Sequence, residues 1–256
     1  YLREAYMRNS AIEVKLLPSH HHYYLWFLTL TYAMVIVLAN WFDPRLINIF
    51  GMTTDAGTLI FPLTFLLSDL ITEVYGYKYA RRAIWCGFLY NAMFVAYGQI
   101  IIHLPSPEYA TNNAQFDALL STDMRVILAS SISYIISEPL NSILMSKLKL
   151  KLQGRLIGIR FISSTIVASG IDSLLFSVIA FYGVINQSNL ITLILSMWLI
   201  KVAIEILGLP ISIRLAEKLK TIERLDIYDD HTDFNLFSLD THYQTTDNHF
   251  NLTNKS

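Results

Sequence analysis

Six charged side chains interrupt otherwise apolar runs of this 256-residue chain: Asp69, Glu73, Glu138, Asp172, Lys201 and Glu205. At the centre of a membrane helix each would cost roughly 2.5–3.5 kcal/mol on insertion scales. A passive anchor has no reason to carry them, so they are expected to face a bundle interior or a wet cavity. There a carboxylate can accept N–H donors from a polar solute, pair with a neighbouring cation or carry a proton.

Spacing sorts the six. Asp69 and Glu73 are four residues apart and share one helix face. For Glu73 the expectation is contact with lipid headgroups, or pairing with Arg81 or Arg82. Lys201 and Glu205 share a face too, which allows either an internal ion pair or a substrate role. Glu138 precedes Pro139, whose missing N–H frees or strains nearby backbone. It could pair with Lys201, and Asn141 lies three residues on. Thr165, Ser169, Asp172 and Ser173 form a polar stripe at helical spacing, and Asp172 is read as a binding residue with two available partners, a substrate N–H edge or Lys201. Asn91 and Gln99 are interhelical glue or solute contacts. Trp198 is an aromatic face one turn before Lys201, in packing or in stacking. His20, His21 and His22 read as an interfacial polar cluster rather than a metal site.

These residues need long apolar elements to hold them. Hydrophobic residues make up 54% of the chain and charged residues 15%, with a net charge of -1 and a mean hydropathy of +0.43. Ordinary soluble domains carry about 25% charged residues. The composition argues against a soluble enzyme, a disordered chain and a nucleic-acid binder, which would need a basic excess. The single cysteine, Cys86, excludes an internal disulfide and a cysteine-rich metal site. The N-terminal residues do not read as a secretory signal, so the first apolar run is expected to be a retained span.

Six runs approach the ~20 apolar residues that a membrane helix requires: Tyr24–Trp41, Ala56–Tyr75, Ala83–Leu104, Val126–Leu148, Phe161–Val184 and Leu190–Ile213. Sixteen of the nineteen Lys and Arg residues fall in alternate connections and both termini, against Arg45 and Arg125 on the other side and Lys201 within a span. That asymmetry places the basic side in the cytoplasm. The expected fold is an all-α membrane protein of six transmembrane helices with both termini cytoplasmic. Its parts are a cytoplasmic segment (1–23), a transport domain (24–213) and a cytoplasmic tail (214–256). The loop 105–124 is acidic, and the polar segment from Glu223, which has no apolar period, is expected to form a short extension or to be partly disordered.

No His-Glu-x-x-His, Gly-x-Ser-x-Gly or phosphate-loop pattern is present. Asp172 follows Ser169-Gly170-Ile171 rather than the Gly-x-Gly of intramembrane aspartyl proteases, and no cofactor or metal is expected.

The run Phe61-Pro62-Leu63-Thr64-Phe65-Leu66-Leu67-Ser68-Asp69-Leu70-Ile71-Thr72-Glu73-Val74-Tyr75-Gly76, followed by Ala80-Arg81-Arg82, resembles the queuosine precursor transporter family, also called the vitamin uptake transporter family. The resemblance continues at Ser163-Ser164-Thr165, Ile171-Asp172-Ser173-Leu174-Leu175-Phe176 with Ala180-Phe181, and Lys201-Val202-Ala203-Ile204-Glu205 before Pro210. It ends at Glu223, Asp226, Tyr228, Asp229, Thr232, Phe234 and Asn235, and covers about residues 24–237. It implies import of 7-deazaguanines, bearing a nitrile or an aminomethyl arm, across the bacterial inner membrane for queuosine salvage in transfer RNA. The implied substrate residues are Asp172, Glu138, Asp69, Lys201, Glu205, Asn141, Gln99 and Trp198. The implied partners are that small molecule and the lipid bilayer, without nucleic acid and with room for a homodimer. Where the family usually shows Gln and then Asp three residues on, this chain has Glu138 and Asn141, so a related purine-like base or a vitamin is an alternative. A rival of another class is a substrate-binding membrane subunit that needs a separate energising partner. An enzyme is the weakest of the three.

The Lys/Arg asymmetry makes a topological prediction. Cysteines introduced at Ser106 or Asn186, in a chain lacking Cys86, should react with an impermeant thiol reagent added outside the cell. One at Gln153 should not. External protection at Ser106 would overturn the six-span arrangement.

Overall fold

The first apolar run forms α1 (Leu25–Phe42), which starts beside the carboxylate of Glu223, acceptor of the Tyr24 backbone N–H at 2.9 Å. This is a computed structural model, and it describes residues 22–107, 109–121 and 124–250. Most of the expected N-terminal segment, with His20 and His21, lies outside the described residues. His22 is described, and its ring nitrogen meets the Tyr79 hydroxyl at 2.9 Å.

After α1 the chain makes a small hairpin that the apolar pattern did not announce. Strands β1 (Leu46–Ile49) and β2 (Met52–Asp55) pair antiparallel, with Leu46 opposite Asp55 and Ile49 opposite Met52. Phe50 and Gly51 form its two-residue turn, both at positive φ (51° and 84°), as the right-handed twist of a tight hairpin favours. Asp55 then caps a 3₁₀ turn at Gly57–Leu59 by accepting from the Thr58 backbone N–H and hydroxyl, both at 2.6 Å.

Helix α2 (Pro62–Tyr75) follows, with Pro62 at its start, where a missing N–H costs nothing. Apart from Leu63 and Leu67 every residue of α2 is buried, Asp69 and Glu73 included. It packs against α1 and against α3 (Tyr77–Ile102), α5 (Met124–Lys151), α6 (Ile157–Phe181) and α7 (Gln187–Glu223). A helix enclosed by protein can hold charge that a lipid-facing helix cannot.

Only Gly76 separates α2 from α3. Its φ of 87° and ψ of 168° lie where glycine alone is comfortable. Lys78, Arg81 and Arg82, expected in a loop, therefore sit in the first turns of α3, and the third span begins at Tyr77 rather than Ala83. The acidic loop 105–124 contains a short helix, α4 (Asn113–Leu120), packed on α3. Helix α5 runs unbroken through Pro139, so no discontinuous helix forms there. At the end of the bundle that holds the hairpin, Arg125 donates to the carbonyls of Ile179 and Tyr182, each at 2.6 Å, and closes the C-terminus of α6. Helix α7 continues to Glu223, ten residues past the expected end of its span at Ile213. Among the described residues six helical stretches, the second running from Gly57 to Tyr75, are long and apolar enough to cross a membrane, as expected.

The segment after α7 is a docked strap rather than a short extension. Leu225, Ile227 and Tyr243 are buried in the main apolar core. The Asp229 carboxylate accepts the first N–H of α3, from Tyr77, at 3.1 Å, along with the hydroxyls of Ser146 and Tyr243 at 2.6 Å each. Arg81 donates to the Asn235 carbonyl at 2.8 Å, and the Trp85 indole donates to that of Leu236 at 2.8 Å. Burial and the Asp229 carboxylate push the Tyr243 phenol well above its usual range. Lys78 and the His242 backbone hold Asp240 below the usual carboxylate range.

Glu73 is the hub of this basic end, in place of the expected headgroup or Arg81/Arg82 contacts. Arg160 of α6 grips it with two N–H donors, at 2.5 and 3.0 Å. Lys220 of α7 lies at 2.5 Å and Lys149 of α5 at 3.9 Å. Both lysines also reach Asp226 of the strap, at 2.7 and 2.8 Å. Removing one partner of a buried ion pair costs about 3–5 kcal/mol, whereas exposed pairs contribute roughly 0–1 kcal/mol. Glu73→Gln should thus markedly lower the thermal unfolding temperature of the purified protein. Asp240→Asn, whose side chain is 49% exposed beside Lys78, should leave it nearly unchanged. Equal, small shifts for both variants would remove the hub from its structural role.

Candidate functional site

Between the Glu73 hub and the hairpin end, four helices turn polar residues toward one another. Helix α2 supplies Thr64, Ser68 and Asp69; α5 supplies Ser137, Glu138, Asn141 and Ser142. Helix α6 supplies Thr165, Ser169, Asp172 and Ser173, and α7 supplies Lys201 and Glu205. All are buried. The spacing explains the convergence: 138 and 141–142, 165, 169 and 172–173, and 201 and 205 each fall on one helical stripe. The short hydroxyl residues also let the helices approach closely.

The hydrogen bonds form two groups. In the first, Asn141 donates its amide to Asp69 Oδ1 at 2.7 Å and to Ser68 Oγ at 3.2 Å. The Thr64 hydroxyl donates to Glu138 Oε1. In the second, the Lys201 ammonium meets Asp172 Oδ2 at 2.5 Å, and Ser137 donates to Asp172 Oδ1 at 3.2 Å. Lys201 also lies 4.7 Å from the centroid of the Phe61 ring, a cation–π distance.

What lacks a partner is as informative. Asp69 Oδ2, Glu138 Oε2, Asn141 Oδ1 and both oxygens of Glu205 are buried without a hydrogen bond. So are the hydroxyls of Ser142, Thr165, Ser169 and Ser173. Buried polar groups in native proteins are nearly always paired. A cluster of orphaned acceptors from four helices is suited to a solute that brings N–H donors.

Six of the eight residues singled out in the sequence meet here: Asp69, Glu138, Asn141, Asp172, Lys201 and Glu205. Of the pairings that the sequence left open for Lys201, the one with Asp172 forms. Lys201 turns to Asp172 across the α6–α7 interface, so neither an internal Lys201–Glu205 pair nor a Glu138–Lys201 pair forms. Asp172 is neutralised, and Glu205 is the carboxylate left open. Trp198 stands apart: its indole donates to the Ile166 carbonyl at 3.0 Å, and its ring covers Gly170 in the α6–α7 packing. Gln99 is also remote, near α4, where its amide reaches the Leu120 carbonyl at 3.5 Å.

Two carboxylates escaped the sequence reading because they lie outside the apolar runs. Asp43 and Asp55 line a small cavity at the hairpin end, together with Thr58, Ser133, Asp172 and Lys201. Burial, and next the charge of Asp55, pushes the Asp43 carboxyl well above the usual range. The Asp55-x-x-Thr58 capping pattern was the available signal for Asp55. Nothing local marked Asp43. Among the described residues no cluster of three metal-ligating side chains occurs.

Comparison with known proteins places the chain among transporters. The family model described as "Putative vitamin uptake transporter" matches residues 55–215, from the end of β2 through most of α7. A "Probable queuosine precursor transporter" of Bacillus subtilis (strain 168) is 28% identical over 177 residues, 68% of this chain and 76% of the relative. The "Queuosine precursor transporter" of Escherichia coli (strain K12) is 27% identical over 161 residues, 62% of this chain and 69% of the relative. No solved structure matches.

The Asp172–Lys201 pair yields a double-variant prediction. Asp172→Asn leaves a buried ammonium without its counter-charge and should lower thermal stability and membrane levels. Lys201→Met in the same chain should restore much of both, since exchanging a whole buried pair for uncharged residues is often nearly neutral. Additive losses in the double variant would show that the two side chains act separately.

Proposed function

Because the chain belongs to the vitamin uptake transporter family, we propose that it imports queuosine precursors, 7-deazaguanines such as the 7-cyano and 7-aminomethyl compounds. The route is across the bacterial inner membrane, for salvage of queuosine in transfer RNA. The family is one of transporters and not of enzymes, and the chain is a multi-pass membrane protein. The names of the two relatives support the substrate class. The Lys/Arg asymmetry supports a cytoplasmic basic end.

One observation carries the reading: the unpartnered acceptors of Asp69, Glu138, Asn141 and Glu205 converge between α2, α5 and α7, within the residues that the family model matches. A deazaguanine presents several N–H donors along one edge, and carboxylates are strong acceptors for such an edge. Asp69 and Glu138 are already oriented by Asn141 and Thr64, so each offers a fixed second oxygen. Glu205 offers both. Asp172 is tied to Lys201 and serves as the wall of the site, facing the cavity of Asp43 and Asp55. Passage requires access from the two ends in turn. In this conformation the Glu73 hub and the strap bridge the helices at the basic end.

The test is rescue of queuosine in transfer RNA, in a bacterial strain that neither makes nor imports the precursors. Expression of this chain should restore the modification when a 7-deazaguanine is supplied in the medium. The purified chain alone in liposomes should take up the same compound. Rescue in cells without uptake by the purified chain would favour a binding subunit with an energising partner. Absence of both would overturn the proposal.

A further inference from the structure

A second cavity lies between α1, α3, α4 and α5 toward the hairpin end. Its lining mixes the two features that bind flat polar rings. Trp41 and Phe94 stand edge to face, 5.5 Å between centroids. Asn40, Asn91, Gln99 and Asp43 supply polar groups. Asn91 is only 7% exposed, and its Oδ1 is buried without a hydrogen bond.

These polar groups argue against a lipid chain as the occupant. An acyl chain would leave a buried amide oxygen and a carboxyl group against hydrocarbon, with no donor for either. An occupant with N–H donors at its edge and an aromatic face answers both requirements. The cavity is not isolated. Asp43 and Ser130 line it and also line the cavity that reaches Asp172 and Lys201. The Ser130 hydroxyl is itself held by the Asn40 side chain, which fixes the partition between the two spaces. The family match begins at residue 55, so Asn40, Trp41 and Asp43 lie outside it.

We propose that this cavity is a first binding station for a planar, uncharged heterocycle bearing N–H donors, with Asn91 and Asp43 as acceptors and Trp41 and Phe94 as the ring-binding faces. From it the solute passes the Asp43–Ser130 partition to the central acceptors. Gln99, remote from the central site, belongs to this one. The inference rests on the transport reading and adds a second site to it.

The probe is 7-cyano-7-deazaguanine, added to the purified full chain in lipid nanodiscs while tryptophan emission is followed. The native chain should show saturable quenching that Trp41→Phe abolishes. Asn91→Leu should weaken the apparent affinity of that quenching at least tenfold, while Glu205→Gln, at the central site, should leave it in place. Gly98→Met is the second variant. Gly98 lines the cavity, and a Cβ there meets only Leu120 Cδ2, at 3.6 Å, so the longer side chain can fill the space without backbone strain. It should abolish the quenching in a chain that unfolds at the native temperature. A native chain that takes up the compound without quenching Trp41, or quenching unchanged in both Asn91→Leu and Gly98→Met, overturns the station and leaves the transport reading standing. A native chain that neither quenches nor takes up the compound overturns both.

Discussion

A carboxylate with no exposed surface, Glu73, is held by cations from three other helices, and the organisation of the interior depends on it. Such a cluster is not a source of net stability, because desolvating four charged groups offsets most of their attraction. Its consequence is geometric. Arg160, Lys149 and Lys220 can satisfy one carboxylate only if the ends of α5, α6 and α7 converge on α2 in a single register. Asp69 lies one helical turn before Glu73 on the same face. Fixing Glu73 therefore also aims Asp69 at α5, where Asn141 meets it at 2.7 Å.

From that end the polar interior changes character along the bundle. At the basic end the carboxylates where the helices meet have cations: Glu73 and Asp226 share Lys149 and Lys220. At the middle, Asp69 and Glu138 are each satisfied at one oxygen by a neutral donor, and Glu205 at neither. Toward the hairpin end a cation returns, Lys201 on Asp172. The unsatisfied acceptors are thus bracketed by two neutralised groups. This placement separates residues that hold the helices together from residues left open to a solute, a distinction that charge alone does not make.

Much of this was legible in the sequence because it depends on local patterning. Apolar runs gave the six spans, and helical spacing put Glu138 with Asn141 and Asp69 with Glu73 on common faces. Which of the possible pairs forms was not legible, since that is set by contacts between helices far apart in the chain. Lys201 is four residues from Glu205 yet meets Asp172, 29 residues away. Glu73 ignores Arg81 and Arg82, because Gly76 starts α3 at once and Arg81 turns to the strap. The strap was hidden for a related reason. Its anchoring residues, Leu225, Ile227, Asp229 and Tyr243, are dispersed among polar ones and have no period to detect.

The central claim is that the open carboxylates in the middle of the bundle, Glu205 foremost, hold the transported solute. The most direct test is uptake of 7-cyano-7-deazaguanine by liposomes containing the purified Glu205→Gln chain, with thermal unfolding measured on the same sample. The substitution keeps the size of the side chain and removes its charge. A hydrogen bond to a charged group contributes about 1.5–3 kcal/mol, or roughly tenfold to over a hundredfold in affinity. The account predicts uptake at low substrate concentration reduced at least tenfold in a chain that unfolds at the native temperature. Native uptake by a well-folded Glu205→Gln chain would contradict it.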